Sequence, residues 1–220
     1  EDGICIRLYS QDDFESRPEF TTPEIRRSDL AEVILRMLSM NIGDIETFPF
    51  IEPPNRSSIR DGIQTLWELG AIDKENNLTL LGREMSRLPM DPRTARILLE
   101  AIKQDALPEV LIIASALSMQ DPRERPFEKV GEADLKHKEF MDGKSDFISY
   151  MNLWDNYNDK WEQLKTQNKI RKFCHTNFLS YTRMRVWSDL YSELVSVLKE
   201  QDKLKASSKH ATYEAIHKSI

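Results

Sequence analysis

Two cysteines in 220 residues, Cys5 and Cys174, stand at opposite ends of the chain and form no Cys-x-x-Cys pair. That excludes a disulfide scaffold and a zinc site built on paired thiolates. Glycine is scarce, seven residues with no Gly-x-Gly cluster, which leaves little backbone for a loop that wraps phosphates. No run of about 18 apolar residues occurs, and the most apolar stretch, Val110 to Leu117, is too short to span a bilayer. No basic-then-apolar segment opens the chain, so the expected address is cytoplasmic. An excess of positive charge is missing too: 31 Lys and Arg face 37 Asp and Glu, a net charge of −6. Any grip on a polyanion must therefore come from a local patch. Hydrophobic residues at 40% and charged residues at 31% describe a globular chain, long enough for one large domain or two small ones.

Hydrophobic spacing divides what is there. Gly3-Ile-Cys-Ile-Arg-Leu-Tyr9 alternates and suits one short strand, which needs a partner from elsewhere. Thr21-Thr-Pro-Glu-Ile25 carries helix-start chemistry, with a Thr cap and Pro in the first turn. Leu30, Val33, Ile34, Met37 and Leu38 then follow helical spacing, until Phe48-Pro-Phe50 and Pro53-Pro54 force an extended connector. Ser57 or Ser58 is expected to cap a second helix bearing Ile59, Ile63, Leu66 and Trp67 and closed by Gly70. Gly70-Ala-Ile72 and Leu78-Thr-Leu-Leu81 flank Asp73-Lys-Glu-Asn-Asn77 as a β-hairpin. Helix, helix, hairpin is the order of a winged helix, ending near Leu88-Pro89. Beyond it the pattern is helical throughout. Asp91-Pro92 opens one helix, Pro108 the central buried one through Leu117, Lys136–Phe140 a shorter one, and Ser145 caps another with Phe147, Ile148, Met151, Trp154 and Tyr157. A last long helix is expected from Ile170 to Lys199, its buried stripe formed by Trp187, Leu190, Tyr191, Leu194 and Leu198. The fold class is mainly α: a winged helix with a small β-hairpin, followed by a helical bundle.

Catalytic chemistry is hard to place. Gly143-Lys144-Ser145 resembles the end of a phosphate loop, but Lys138 stands where the earlier glycine belongs and helices bracket the site. A turn ending in a Ser cap is the preferred reading. His137, His175, His210 and His217 include no i, i+4 pair, and Cys174 beside His175 points about 100° away on a helix. The informative signal is charge distribution. From Gln163 to Ser188 no Asp or Glu occurs, while Lys165, Lys169, Arg171, Lys172, Arg183 and Arg185 supply six positive charges. Phe173, His175, Asn177, Phe178 and Tyr181 are interleaved among them. Cations that neutralise phosphates, beside amides and flat rings that meet bases, are the chemistry of single-strand binding. The outward positions of the second helix, Arg60, Asp61, Gln64 and Glu68, are net negative and argue against reading a duplex groove.

Motifs along the whole chain resemble the helicase-associated region of DEAH-box RNA helicases, most nearly the bacterial type. Thr22-Pro-Glu-Ile-Arg26, Phe48-Pro-Phe50, Leu69-Gly-Ala-Ile72 and Leu88-Pro-Met-Asp-Pro-Arg93 are similar to the family's winged helix and its exit. Gln120-Asp-Pro-Arg123, Ser145-Asp-Phe147, Asn177-Phe-Leu179, Arg183-Met184 and Trp187 are similar to its helical bundle, the ratchet-like domain. The resemblance implies residues 1–19 as the trailing segment of a second RecA-like domain and 20–88 as the winged helix. It further implies 89–200 as the ratchet and 201–220 as the start of a connection to an OB-fold. It implies an accessory RNA-channel region of an ATP-dependent helicase that grips single-stranded RNA beside RecA-like and OB-fold neighbours. With no Walker A loop and no Asp-Glu-Ala-His box here, no cofactor is expected in this chain, and ATP and Mg would belong to the RecA-like domains. The residues expected at the strand are Lys172, Arg183 and Arg185 on phosphates, Asn177 on a sugar or base edge, Tyr181 as a stacking ring, and Arg123 from a loop. The alternative is a protein-interaction scaffold: in eukaryotic relatives a glycine-rich partner peptide lies across the winged helix, and the acidic second helix and Phe48/Phe50 connector suit such a role.

Overall fold

A computed structural model describes residues 3, 4, 6, 8–17, 25, 29–203 and 210–220. A short helix α1 (Gln11–Ser16), capped by the Ser10 side chain, was not foreseen from spacing. The opening strand is not found among the described residues: Cys5 and Arg7 lie outside them, and Ile4, Ile6 and Leu8 are exposed and form no bridge. The helix start at 21–25 lies outside the described residues except for Ile25.

Helix α2 (Leu30–Met40) is capped by Asp29 and buries Leu30, Ile34, Leu35 and Met37 against α3 (Arg56–Glu68). Asn55, not Ser57 or Ser58, is the cap residue of α3, and its side chain makes no capping bond. Trp67 leaves the expected apolar stripe and is half-exposed, whereas Ile59 and Leu66 are buried. Gly70 ends the helix at φ +71°, a left-handed conformation that suits glycine. The expected hairpin shrinks to one antiparallel bridge, Ile72 to Leu78. The reason is capping: the Thr79 hydroxyl accepts the Gly82 N–H at 3.0 Å and starts α4 (Leu80–Met85), so Leu80 and Leu81 become helix rather than strand.

Asp91 Oδ1 accepts the N–H groups of Arg93 and Thr94, both at 3.0 Å, opening α5 (Pro92–Lys103). Its partner α6 (Leu107–Leu117) is buried over most of its surface, as its unbroken apolar run requires. A single-turn 3-10 segment at Phe127–Lys129 leads into α7 (Val130–His137), earlier than the short helix expected at 136–140. Ser145 caps α8 (Asp146–Leu164).

The long last helix is in fact two, α9 (Gln167–Thr176) and α10 (Tyr181–Glu200), with a corner at 177–180. Finally α11 (Tyr213–Ser219) packs on α5 and α6. Two apolar clusters result. One joins α2–α6 to the far half of α10 and to Ile216 of α11; the other joins α8, α9 and the near half of α10 around Trp187. Trp187 is fully buried, its Nε1 donating to Ser115 Oγ at 3.0 Å and to the Ile112 carbonyl at 3.1 Å. No helix among the described residues is long and apolar enough to cross a membrane.

Candidate nucleic-acid interface

The corner between α9 and α10 organises the acid-free stretch. Phe178 takes φ +53°, which costs a side-chain-bearing residue about 1–2 kcal/mol. Its surroundings hold it there. The Phe178 carbonyl accepts the Glu124 N–H at 2.8 Å and lies 3.0 Å from His137 Nε2. Leu179 bridges antiparallel to Arg123, and Ser180 N–H donates to the Pro122 carbonyl at 2.8 Å. A carbonyl only accepts, so His137 carries its proton on Nε2. The loop at 120–126 is thus a strap across the corner.

An ion pair fastens that strap. Asp121 takes the Arg123 backbone N–H at 2.8 Å, Arg123 Nε at 3.0 and 3.1 Å and Arg123 Nη2 at 2.7 Å. Tyr150 Oη donates to Asp121 Oδ2 at 3.3 Å, and the Arg123 guanidinium lies 5.1 Å over the Tyr150 ring. Burial pushes the Asp121 carboxyl up, but the Arg123 guanidinium and backbone N–H outweigh it and leave it below the usual carboxylate range. Arg183 Nη1 donates to the Asp121 carbonyl at 3.0 Å, tying α10 to the same loop.

The six residues expected at the strand therefore separate. Lys172 and Arg185 are exposed, and Tyr181 is partly exposed. Arg123 is held by a carboxylate, Asn177 is 8% exposed with its Nδ2 donating to the Phe173 carbonyl at 2.8 Å, and Arg183 is half-buried on Asp121. The structure brings Tyr181 and Arg185 to one groove and turns Asn177 inward, because the corner needs its amide to close the end of α9. Of the six cations between 163 and 188, five are exposed, and none makes an ion pair among the described residues.

In front of the corner lies a groove of about 930 Å³ between α7 and α9–α10, and a smaller hollow of about 310 Å³ continues along α10. Arg171 and Tyr181 line both, with the guanidinium 5.0 Å over the ring. Arg171 and His175 belong to the acid-free stretch but not to the six residues expected at the strand; their spacing on α9 is the signal that marks them. Lys129, Glu132 and Lys136 reach the groove from α7 and the turn before it, about forty residues away in sequence, and no local pattern announces them. The corner itself had a signal, Asn177 and Ser180 three residues apart, both residue types that end and start helices.

Among the described residues one further pair has the outline of a reactive site. Ser145 Oγ lies 2.7 Å from His217 Nε2, and His217 Nδ1 lies 2.7 Å from the Tyr213 carbonyl, the outline of a nucleophile and its base. Ser145 is 7% exposed, caps α8 and lines neither hollow, so this contact is a clasp holding α11. Burial pushes the Cys174 thiol up to about 12, leaving it inert at neutral pH. Among the described residues no three His, Cys, Asp or Glu side chains gather as metal ligands.

Comparison with known proteins finds two matching families. Residues 91–190 match the family described as "Helicase associated domain (HA2), ratchet-like", and residues 62–90 match "Helicase associated domain (HA2), winged-helix". The chain belongs to the helicase-associated family. This helicase-associated region is 49% identical over 221 residues to the ATP-dependent RNA helicase HrpA of Escherichia coli (strain K12), covering 98% of the chain and 17% of that relative. It is 44% identical to the HrpA homolog of Haemophilus influenzae, over 100% of the chain and 17% of the relative. Mouse ATP-dependent RNA helicase DHX33 is 32% identical over 88% of the chain and 27% of its own length. The chain thus spans about a sixth of the length of the bacterial relatives it matches, and it is a helicase accessory region of the DExH-box type.

Proposed function

We propose that this helicase-associated region lines the RNA channel of an ATP-dependent DEAH-box RNA helicase and helps grip single-stranded RNA during translocation. In this reading residues 20–88 form the winged helix and 89–200 the ratchet. The observation that carries it is the set of exposed, unpaired cations on α9 and α10 beside a groove walled by Tyr181. Lys172 and Arg185 hold phosphates, and Tyr181 offers its ring to a base. Arg123, Asn177 and Arg183 act one step back, as positioning residues that fix the corner. The motor lies in RecA-like domains, so the chain alone turns over no ATP.

Equilibrium binding of fluorescent single-stranded RNA across a salt series tests this. A log–log slope of roughly −2 to −4 is expected if about four phosphates are met, at about 0.7 per phosphate. Lys172→Glu with Arg185→Glu should weaken binding at least tenfold and flatten the slope by about 1.4. Unchanged affinity in that double variant overturns the assignment. The exposed Ile51, Trp67 and Leu80 of the winged helix favour a second role as a docking surface for a partner protein, which capture experiments with Trp67→Ser as control would test.

A further inference from the structure

The groove is not uniformly basic. Lys129, Lys136 and Arg171 line it together with Glu124, Glu132 and Glu139. Two of these charges cancel directly, since Lys136 Nζ lies 3.6 Å from Glu139 Oε1. Arg171 rests on the Tyr181 ring. The carboxylates of Glu124 and Glu132, both exposed, have no hydrogen bond or ion pair among the described residues. Lys129 and Arg171 balance these two carboxylates, so the groove offers a phosphodiester no net attraction; the phosphates stay on the outer cations Lys172 and Arg185, and the groove is left to bases. An ionised carboxylate only accepts hydrogen bonds. Cytosine and adenine present an exocyclic amino group to such an acceptor, and guanine presents adjacent N–H donors. Uracil instead presents carbonyl oxygens on either side of a single N–H.

We infer that, granted the RNA-gripping reading above, the groove prefers amino-bearing bases over uracil, with Glu124 and Glu132 as the acceptors. Glu124 is fixed by its own backbone N–H on the Phe178 carbonyl at 2.8 Å, which holds it in the lining of the groove. Glu132 sits in the first turn of α7, the facing wall. The Tyr181 hydroxyl is buried without a hydrogen-bond partner among the described residues, so only the ring meets the groove and the discrimination does not pass through that hydroxyl.

The test compares oligocytidine with oligouridine of equal length and label at one salt concentration, using the full 220-residue chain. The two strands carry equal phosphate charge and similar pyrimidine rings, so the ratio isolates the base edge. The wild type should bind oligocytidine roughly five- to tenfold more tightly, the size of one good base-edge contact. Glu124→Gln with Glu132→Gln should bring that ratio close to one while thermal stability stays unchanged, whereas Glu128→Gln, an exposed carboxylate that does not line the groove, should keep it. A purely structural role for the two carboxylates would move stability and not the ratio. Equal binding of both strands by the wild type overturns the preference and leaves the grip standing. A ratio that survives in the double variant overturns the choice of carboxylates. No binding to either strand overturns the gripping reading, and the preference falls with it.

Discussion

Replacing Asp121 with alanine is expected to loosen the corner that carries the cation face. The carboxylate receives Arg123 through its backbone N–H and its Nε and Nη2 groups, as well as the Tyr150 hydroxyl. Buried, each charge-assisted bond is worth about 1.5–3 kcal/mol. Here the Asp121 side chain is 40% exposed and the Arg123 side chain 24%, so water screens part of the interaction. The expected loss is about 2 kcal/mol. For a chain of this size each kcal/mol lowers Tm by about 2–4 °C, which gives a drop of about 4–8 °C. The assay is thermal unfolding followed by circular dichroism, as a double-mutant cycle with Arg123→Met. A true pair leaves the double variant about 1–2 kcal/mol more stable than the two single losses summed. The Arg125–Asp134 pair, 61% and 43% exposed, supplies the control: Arg125→Ala should cost under about 1 kcal/mol. If Asp121→Ala matches that control, or the cycle closes additively, the strap is not held by this ion pair.

Two further outcomes follow from the packing and from the carboxylates. Gly82 faces the Ala71 carbonyl so closely that a Cβ would collide with it, while Gly131 of α7 has open space. Gly82→Ala should therefore destabilise by several kcal/mol, on the order of a cavity or strain defect, whereas Gly131→Ala should stabilise by about 0.5–1 kcal/mol; urea midpoints decide, and equal effects would contradict the close approach. Bonds from Arg96 and Gln104 hold Glu100 down at about 2, and Asp121 is also held low. Both groups bind protons less readily folded than unfolded. Their stabilisation is complete above the ordinary carboxylate range near pH 4 and is lost as pH falls towards 2. Asp121→Asn should flatten the fall in urea midpoint as pH drops below the ordinary carboxylate range, and an unchanged profile would refute its share.

Capping and periodicity were legible because each acts within one turn of helix. Asp91 and Ser145 behave as their residue types predict, and of the expected stripe Trp187, Leu194 and Leu198 are buried while Leu190 and Tyr191 are half-buried. Where two local signals competed, neighbours decided. Leu78-Thr-Leu-Leu81 satisfies a strand pattern, yet the Thr79 hydroxyl offers the next turn a cap and helix begins at Leu80. Ile170–Lys199 has the periodicity of one helix, yet the strap from Pro122 to Glu124 supplies hydrogen bonds that a corner at Phe178 accepts and returns.

By itself the amino-acid order determined that the chain is mainly helical, which faces are largely apolar, and that one acid-free run of cations exists. Those properties depend on contacts a few residues apart. Tertiary structure alone decided which cations stay free: Arg123 is claimed by Asp121 and Arg183 by the Asp121 carbonyl, while Lys172 and Arg185 make no ion pair among the described residues. It also decided that Glu124 and Glu132 face that run across a groove. Periodicity says which side of a helix avoids water, but what lies opposite a charged side is set by chain folding back from forty residues away.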